Sequence, residues 1–271
     1  MWSLDNYSPE VGSYVFATAI ETAFSLNKYS DNISKFYFIQ DYENWFFSDQ
    51  QVIESYRFPM KKIVIAKWLQ ELVSSCGEYA TFIPNGFDFK TFSYVKPIDE
   101  REKYSIVCMY HVDKRKGMDV AFRAFNRVYE KFPQIKVTFF SVYDCPTGLP
   151  QYGEFVKQPD VSLLNSLYNK SAIYVGSSNM EGWGLTVGEA MQCGCAVACT
   201  DNRGYLEMAR HGETALTSPV GDAEALADNI ISFIENDELR IRIALAGKNF
   251  IQSFDINKSY ESFKDVIITS K

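Results

Sequence analysis

The sequence predicts an α/β chain with parallel sheets, and three observations carry that expectation. Short β-rich apolar runs alternate with segments of helical period along the whole chain. That alternation is the pattern of strand–helix–strand crossovers, which build parallel, doubly wound sheets. The 271 residues are 46% hydrophobic and 23% charged, with no low-complexity tract or short-period repeat. A chain of this length has room for about two domains of roughly 150 residues, each with a sizeable core.

The first half reads in order as follows. "SYVFAT" is a strand candidate and "AIETAFSLNKY" a helix; "KFYFIQ" is a strong strand, rich in aromatics. "QQVIESYR" is a short helix and "KKIVIA" a further strand. "KWLQELVSSCG" carries Trp68, Leu69, Leu72 and Val73 at helical spacing and stops at Gly77. "ATFIPNGFD" is a strand ending in a Pro-Asn-Gly turn. The charged stretch "DFKTFSYVKPIDEREK", with Pro97 and no clear periodicity, reads as a linker. About three or four strands precede it, fewer than a full mononucleotide-binding fold has, and no glycine-rich first turn is visible. The chain is therefore expected to start partway through a domain.

The second half alternates more clearly. "YSIVCMYH", "KVTFFSVY", "AIYVGSS", "CAVACT" and "TALTSP" read as strands. "GMDVAFRAFNRVYEKFP", "SLLNSLYNKS", "LTVGEAMQCG" and "GYLEMARHG" read as the helices among them. "DAEALADNIISFIEND" and "ELRIRIALAGKNFIQSF" close the chain as helices.

The formal net charge is −7. No whole-protein basic field exists to favour nucleic acid or an anionic membrane as the main partner. Six cysteines and two histidines show no zinc-site spacing. Cys193, Cys195 and Cys199 sit in "CGCAVAC" and read as small buried hydrophobes, and free thiols fit a reducing cytoplasm. "MWSLDNYSPEVGSY" is no signal peptide, and "YVFATAIETAFSL" is too short to span a bilayer and contains Glu21. A cytoplasmic protein is expected.

The stretch "SSNMEGWGLTVGEAMQCGCAV" raises the functional question, because Glu181 and Glu189 stand eight positions apart with three glycines between them. One reading is structural. Thr186 as N-cap with Glu189 three residues on would form a capping box, leaving Glu181 in a loop. The other is a ligand site. In open α/β sheets ligands sit at the carboxyl ends of strands, and a helix N-terminus attracts a diphosphate. Gly182 and Gly184 would let the backbone approach closely, and the carboxylates would accept from sugar hydroxyls.

From Ser177 to Ile230 the sequence closely resembles the C-terminal domain of the retaining glycosyltransferases of family 4, which have the GT-B fold. The shared features are an E-x7-E motif inside "EGWGLTVGEAM", a small-residue strand, a glycine before a glutamate, and "DAEAL". The resemblance spans about residues 36 to 268 and is strongest from 172 to 231. It implies a GT-B-like chain with a complete C-terminal Rossmann-like domain and a truncated N-terminal one. The expected segments are 1–95 (acceptor side), 96–250 (donor side) and a C-terminal helix within 251–271 that crosses back to the first domain. It further implies a nucleotide-diphosphate sugar as donor substrate, no cofactor, and no metal. Glu189 would bind ribose hydroxyls and Glu181 would lie near the donor hexose. The backbone of Gly182, Trp183, Gly184, Leu185 and Thr186 would line the sugar and diphosphate.

The turn "MYHVDKRKGMDV" is the tight basic cluster, with Lys114, Arg115 and Lys116. By itself such a run reads first as a solvated surface turn, with phosphate binding second. The family has G-R-x-x-x-x-K-G here, whose Arg and Lys hold the diphosphate. Lys116-Gly117 matches the K-G, but His111 replaces the arginine and Tyr110 the glycine. Histidine is only partly charged near its ordinary pKa of about 6.5, so Arg115 is the candidate to compensate. "KFYFIQDYENWFF" resembles a bacterial polysaccharide, rhamnosyltransferase-like branch. Where many members have a histidine near the reacting centre, this chain offers Asp41 and Glu43, which read equally as strand-end or cap residues. "FIPNGFDFKTF" matches an I-P-N-G-x-D run with an architectural role.

The implied activity is retaining, metal-independent transfer of a sugar to a glycan, lipid or polysaccharide acceptor, with Glu181, Lys116 and Asp41 at the reacting centre. The alternative is a nucleotide-sugar-binding subunit completed by a partner chain that supplies the missing half. A sugar-nucleotide epimerase would need acid–base groups that the sequence does not show. At most a peripheral contact with the inner membrane face is expected.

Overall fold

The computed structural model describes residues 9–30 and 32–268. The chain divides into two compact units, Met1–Gly86 with Ile256–Lys271, and Phe87–Asp255. The sequence-based boundaries stand at 95/96 and 250/251.

The first unit runs β1 (Tyr14–Ala17), α1 (Ile20–Asn27), β2 (Ser34–Ile39), α2 (Asp49–Tyr56), β3 (Lys61–Val64), α3 (Lys67–Ser75) and β4 (Ala80–Phe82). Its four strands lie in the order β1-β2-β3-β4, all parallel. The aromatic run of β2 explains its place: Phe36, Tyr37 and Ile39 are buried between neighbours on both sides. Ser48 caps α2 by accepting from the Gln51 amide, and Gln51 returns the bond to the Ser48 amide.

The second unit runs β5 (Ser105–Met109), α4 (Met118–Lys131), β6 (Lys136–Ser141), β7 (Gly153–Lys157), α5 (Val161–Lys170), β8 (Ile173–Gly176), α6 (Leu185–Gln192), β9 (Ala196–Thr200), β10 (Leu216–Ser218), α7 (Ala223–Glu235) and α8 (Asp237–Ile251). The strand order is β10-β9-β8-β5-β6-β7, again all parallel. The chain builds outward from β5 to β7, then crosses back to β8 and builds the other way. That reversal creates a topological switch point between β5 and β8, where open sheets of this kind form a crevice. Ile106, Val137, Phe139, Val175, Ala196 and Ala198 fill the sheet centre, with Phe125 of α4 and Leu226, Ile230 and Phe233 of α7 against them.

The last helix, α9 (Ile256–Ile268), groups with the first unit. Its Phe263 lies 5.5 Å from the Phe16 ring and edge-on to Phe38 at 6.1 Å.

Three expectations are corrected. The segment read as a linker is an integral part of the second unit. Ile98 is in its core, and Phe92 packs edge-on against Tyr168. The Arg101 guanidinium donates to the carbonyls of Lys96, Tyr168, Ser171 and Cys193. "GYLEMARHG" forms only a 3-10 turn, Tyr205–Glu207. Gly204 there backs onto the Glu181 carbonyl, where an added Cβ would stand 2.3 Å from the oxygen. The strand β7 comes from "GEFVK", a run too short and polar to read as a strand; it pairs with β6 alone, at the sheet edge.

Candidate donor-sugar site

The two loops at the switch point meet. The turn after β5 ends at Gly117, whose φ of 62° lies in the left-handed region. A Cβ there would stand 2.0 Å from the Ser177 carbonyl oxygen, so only glycine allows this approach. Ser177 Oγ donates to the Lys116 carbonyl at 3.0 Å, the Asn179 amide to the Arg115 carbonyl at 2.7 Å, and Asn179 Nδ2 to the Lys114 carbonyl at 3.2 Å. These bonds hold the Lys114–Lys116 turn against the β8–α6 loop.

Lys116 and Glu181 are thereby brought together: Nζ donates to Oε1 at 2.8 Å. Ser178 Oγ also donates to that oxygen at 2.8 Å and accepts from Tyr205 at 3.0 Å. The pair is partly buried, so water screens it less than a surface pair.

Arg115, the candidate to compensate for the missing arginine, is engaged by its own turn in the empty protein. Its guanidinium forks onto Asp113, with Nη2 to Oδ2 at 2.6 Å and Nε to both oxygens. That fork and the Arg115 amide hold the Asp113 carboxyl down at about 2. His111 Nδ1 accepts from the Asp113 amide at 2.9 Å, which leaves any ring proton on Nε2. Burial and the nearby Lys116 lower its pKa. His111 is thus a neutral donor at neutral pH rather than the partly charged group expected from its ordinary pKa.

The helix α6 begins differently from the expected capping box. Gly184, at φ 102°, is the N-cap, and a Cβ there would meet the Tyr205 ring at 2.5 Å. The helix therefore starts at Leu185, two residues before a Thr186 cap would allow. Thr186 Oγ1 instead accepts from Tyr174 at 2.7 Å. Glu189 is free of capping and accepts from the Tyr168 hydroxyl at 2.9 Å. Burial pushes its carboxyl up to about 7, against the lowering effect of that hydroxyl. The Leu185 and Thr186 amides precede the first helical bonds, which Val187 and Gly188 make to the Gly184 carbonyl, and lie at the positive end of the helix dipole. Trp183 contributes backbone only: its ring is buried edge-on to Phe254 at 5.2 Å.

His111, Lys116, Glu181, Gly182, Trp183, Gly184, Leu185, Thr186 and Glu189 therefore occupy the switch-point loops and the helix they start. Asp41 belongs to the first unit, at the end of β2, where its Oδ1 accepts from the Tyr42 amide at 2.8 Å. Glu43 is buried and accepts from the Ile20 amide at 2.5 Å, at the start of α1. Ser178, Asn179 and Tyr168 escape sequence reasoning, since single polar residues in a loop or a helix carry no spacing signal. Among the described residues no group of three His, Cys, Asp or Glu side chains is placed to hold a metal ion, and no helix is long and apolar enough to cross a membrane.

A helix start, a lysine and two carboxylates thus stand at the switch point of a parallel sheet, where open α/β folds form a crevice, and the fold as a whole is that of GT-B structures. The fold stands on solved structures. The Anabaena protein HepE in complex with UDP-glucose matches with a TM-score of 0.81 at 17% identity, over 94% of this chain and 78% of that one. Sucrose-phosphate synthase from Thermosynechococcus elongatus matches with a TM-score of 0.78 at 18% identity, over 94% and 73%. In sequence, residues 148–250 match the family described as Glycosyl transferases group 1. Phosphatidyl-myo-inositol mannosyltransferase of Mycobacterium tuberculosis is 29% identical over 203 residues, covering 70% of this chain and 53% of the relative. The chain thus spans about half the length of such relatives.

Proposed function

We propose that this chain takes part in glycosyl transfer, holding a nucleotide-diphosphate sugar at the β5–β8 switch point for transfer to a glycan or lipid-linked acceptor. The observation that carries the reading is the Lys116–Glu181 pair beside the first turn of α6. In the reaction the bond from the sugar C1 to the diphosphate oxygen breaks and a bond from C1 to an acceptor hydroxyl oxygen forms. The electron pair leaves with the diphosphate. Fixed positive and hydrogen-bond-donating groups where that charge develops lower the barrier most. Lys116 Nζ, His111 Nε2 and the first-turn amides of Leu185 and Thr186 are the groups this chain offers. Glu189 accepts from the ribose hydroxyls and Glu181 from the hexose, after Lys116 turns from Glu181 to the diphosphate. Retention at C1, independence of metal, and a part for Asp41 at the reacting centre belong to the same proposal. The rhamnosyltransferase-like branch is kept as one candidate among acceptor and sugar types.

The test is a thermal-shift screen against UDP-, GDP-, ADP- and dTDP-sugars. A ligand of the native state raises apparent stability by mass action. Selective stabilisation by one nucleotide class is expected, and none by any of them would sink the reading. The subunit alternative draws on β1, which pairs on one side only among the described residues. Release of nucleoside diphosphate by the isolated chain with donor and acceptor would eliminate it.

A further inference from the structure

We propose that Tyr168 is a positioning residue of this site, its buried hydroxyl holding the Glu189 carboxylate in place and in the ionised form that accepts ligand hydroxyls. The inference rests on the reading of Glu189 as the ribose ligand and deepens it. Tyr168 is wholly buried on α5. Its ring is boxed by Phe92 at 5.8 Å, Phe140 at 5.8 Å and Tyr174 at 6.1 Å. Its carbonyl is fixed by Arg101 Nη1 at 3.3 Å and Cys195 Sγ at 3.1 Å. A side chain so held places its hydroxyl at one point, and that point is 2.9 Å from Glu189 Oε2. Oε1 has no hydrogen-bond partner among the described residues, yet it is not sealed in the interior. One oxygen is thus anchored and the other is open to a ligand.

The surroundings make the anchor matter. No lysine, arginine or histidine pairs with Glu189 among the described residues. The titratable groups facing it are Tyr168 from α5, Tyr174 from β8 and Cys193 from its own helix. Burial raises all three, so they stay neutral across the physiological range. The phenol is the one donor that offsets the cost of placing a carboxylate there, since a hydrogen bond to the charged form favours that form. A protonated Glu189 would be a weaker acceptor toward ribose, with one oxygen turned donor.

The probe is UDP-glucose, whose diphosphate does not titrate between about pH 5.5 and about pH 8.5, and the readout is its calorimetric affinity over that range. The unmodified chain is expected to lose affinity as pH falls through about 7. Tyr168→Phe keeps the ring and removes the hydroxyl. It should move the midpoint of that loss upward by about one pH unit, an affinity deficit of up to about tenfold near neutrality that closes at high pH. Glu189→Gln should flatten the profile in both backgrounds. An unmoved midpoint in Tyr168→Phe, with Glu189→Gln still weakening and flattening binding, overturns the proposal and leaves the donor reading standing. An unchanged affinity and profile in Glu189→Gln removes the donor reading of Glu189 and the proposal with it. Should Tyr168→Phe fail to fold, 3-fluorotyrosine placed at position 168, a stronger donor, must lower the midpoint; an unmoved one overturns the proposal.

Discussion

Lys116 Nζ and Glu181 Oε1 stand 2.8 Å apart although 65 positions separate them in the chain. The pair joins the turn after β5 to the loop after β8, so the ammonium is already aimed into the crevice before any ligand arrives. Lys116→Ala should weaken UDP-glucose binding by about ten- to hundredfold, the range of a charge-assisted hydrogen bond of about 1.5–3 kcal/mol. Uridine, which lacks the diphosphate, should lose far less. Calorimetry with both ligands checks this, and equal losses would argue against a phosphate contact.

Gly117 is the next test of that junction. Alanine there meets the Ser177 carbonyl oxygen at 2.0 Å and must also hold a φ of 62°. The left-handed conformation alone costs about 1–2 kcal/mol. Gly117→Ala should therefore lower the melting temperature by several degrees and part Ser177 from the Lys116 carbonyl. A melting curve that overlays the unmodified one would show that the loops do not approach as described.

Glu189 predicts a conflict between stability and binding. Its carboxyl lies near 7 in the folded chain against an ordinary value of 4.5. The folded state then binds more protons than the unfolded one between those values. Its contribution to stability is full below about 4.5 and is lost as pH rises toward about 7. The loss amounts to roughly 2–3 kcal/mol above that range. Glu189→Gln should thus be more stable than the unmodified chain in urea at about pH 8, with the difference fading toward about pH 5. Equal stability at both pH values would mean that the carboxyl is not held in a desolvated place.

Arg101 carries a purely structural prediction. Its guanidinium satisfies four carbonyls, including the Cys193 carbonyl at the end of α6 and the Ser171 carbonyl after α5. Arg101→Met fills similar space but removes the guanidinium donors, leaving the Tyr168 and Ser171 carbonyls only the weak Cys195 thiol. A loss of about 3–5 kcal/mol is expected from urea unfolding. Arg101→Lys should recover only part of it, because an ammonium cannot fork.

Much of the fold is legible in the sequence because the buried strands announce themselves. "KFYFIQ", "SIVCM" and "AVACT" are apolar runs covered on both faces, and each is a strand. The edge strand β7 is covered less, so selection for apolar residues is weaker and its pattern fades. "GYLEMARHG" has helical spacing, but the turn it must make beside Gly184 overrides that propensity. At the site, the E-x7-E spacing and the Lys-Gly pair are visible as motifs. The capping box is misleading because Thr186 and Glu189 have the right letters. The left-handed Gly184 decides the helix start, and nothing in residue identity separates a cap glycine from a loop glycine. Tyr168 is illegible for another reason: its importance lies in one contact with a residue on a different helix.

The bonds from Ser177 and Asn179 to the Lys114–Lys116 turn bear on how quickly and how tightly a ligand is held. A crevice assembled from two loose loops would have to freeze them at each encounter, and that ordering would be subtracted from the affinity. Here the loops are tied to each other during folding. The amides of the junction should accordingly exchange slowly with deuterium even in the empty protein. On the proposed reading a donor would meet a wall that is already rigid, and its residence time would reflect contacts made rather than disorder suppressed.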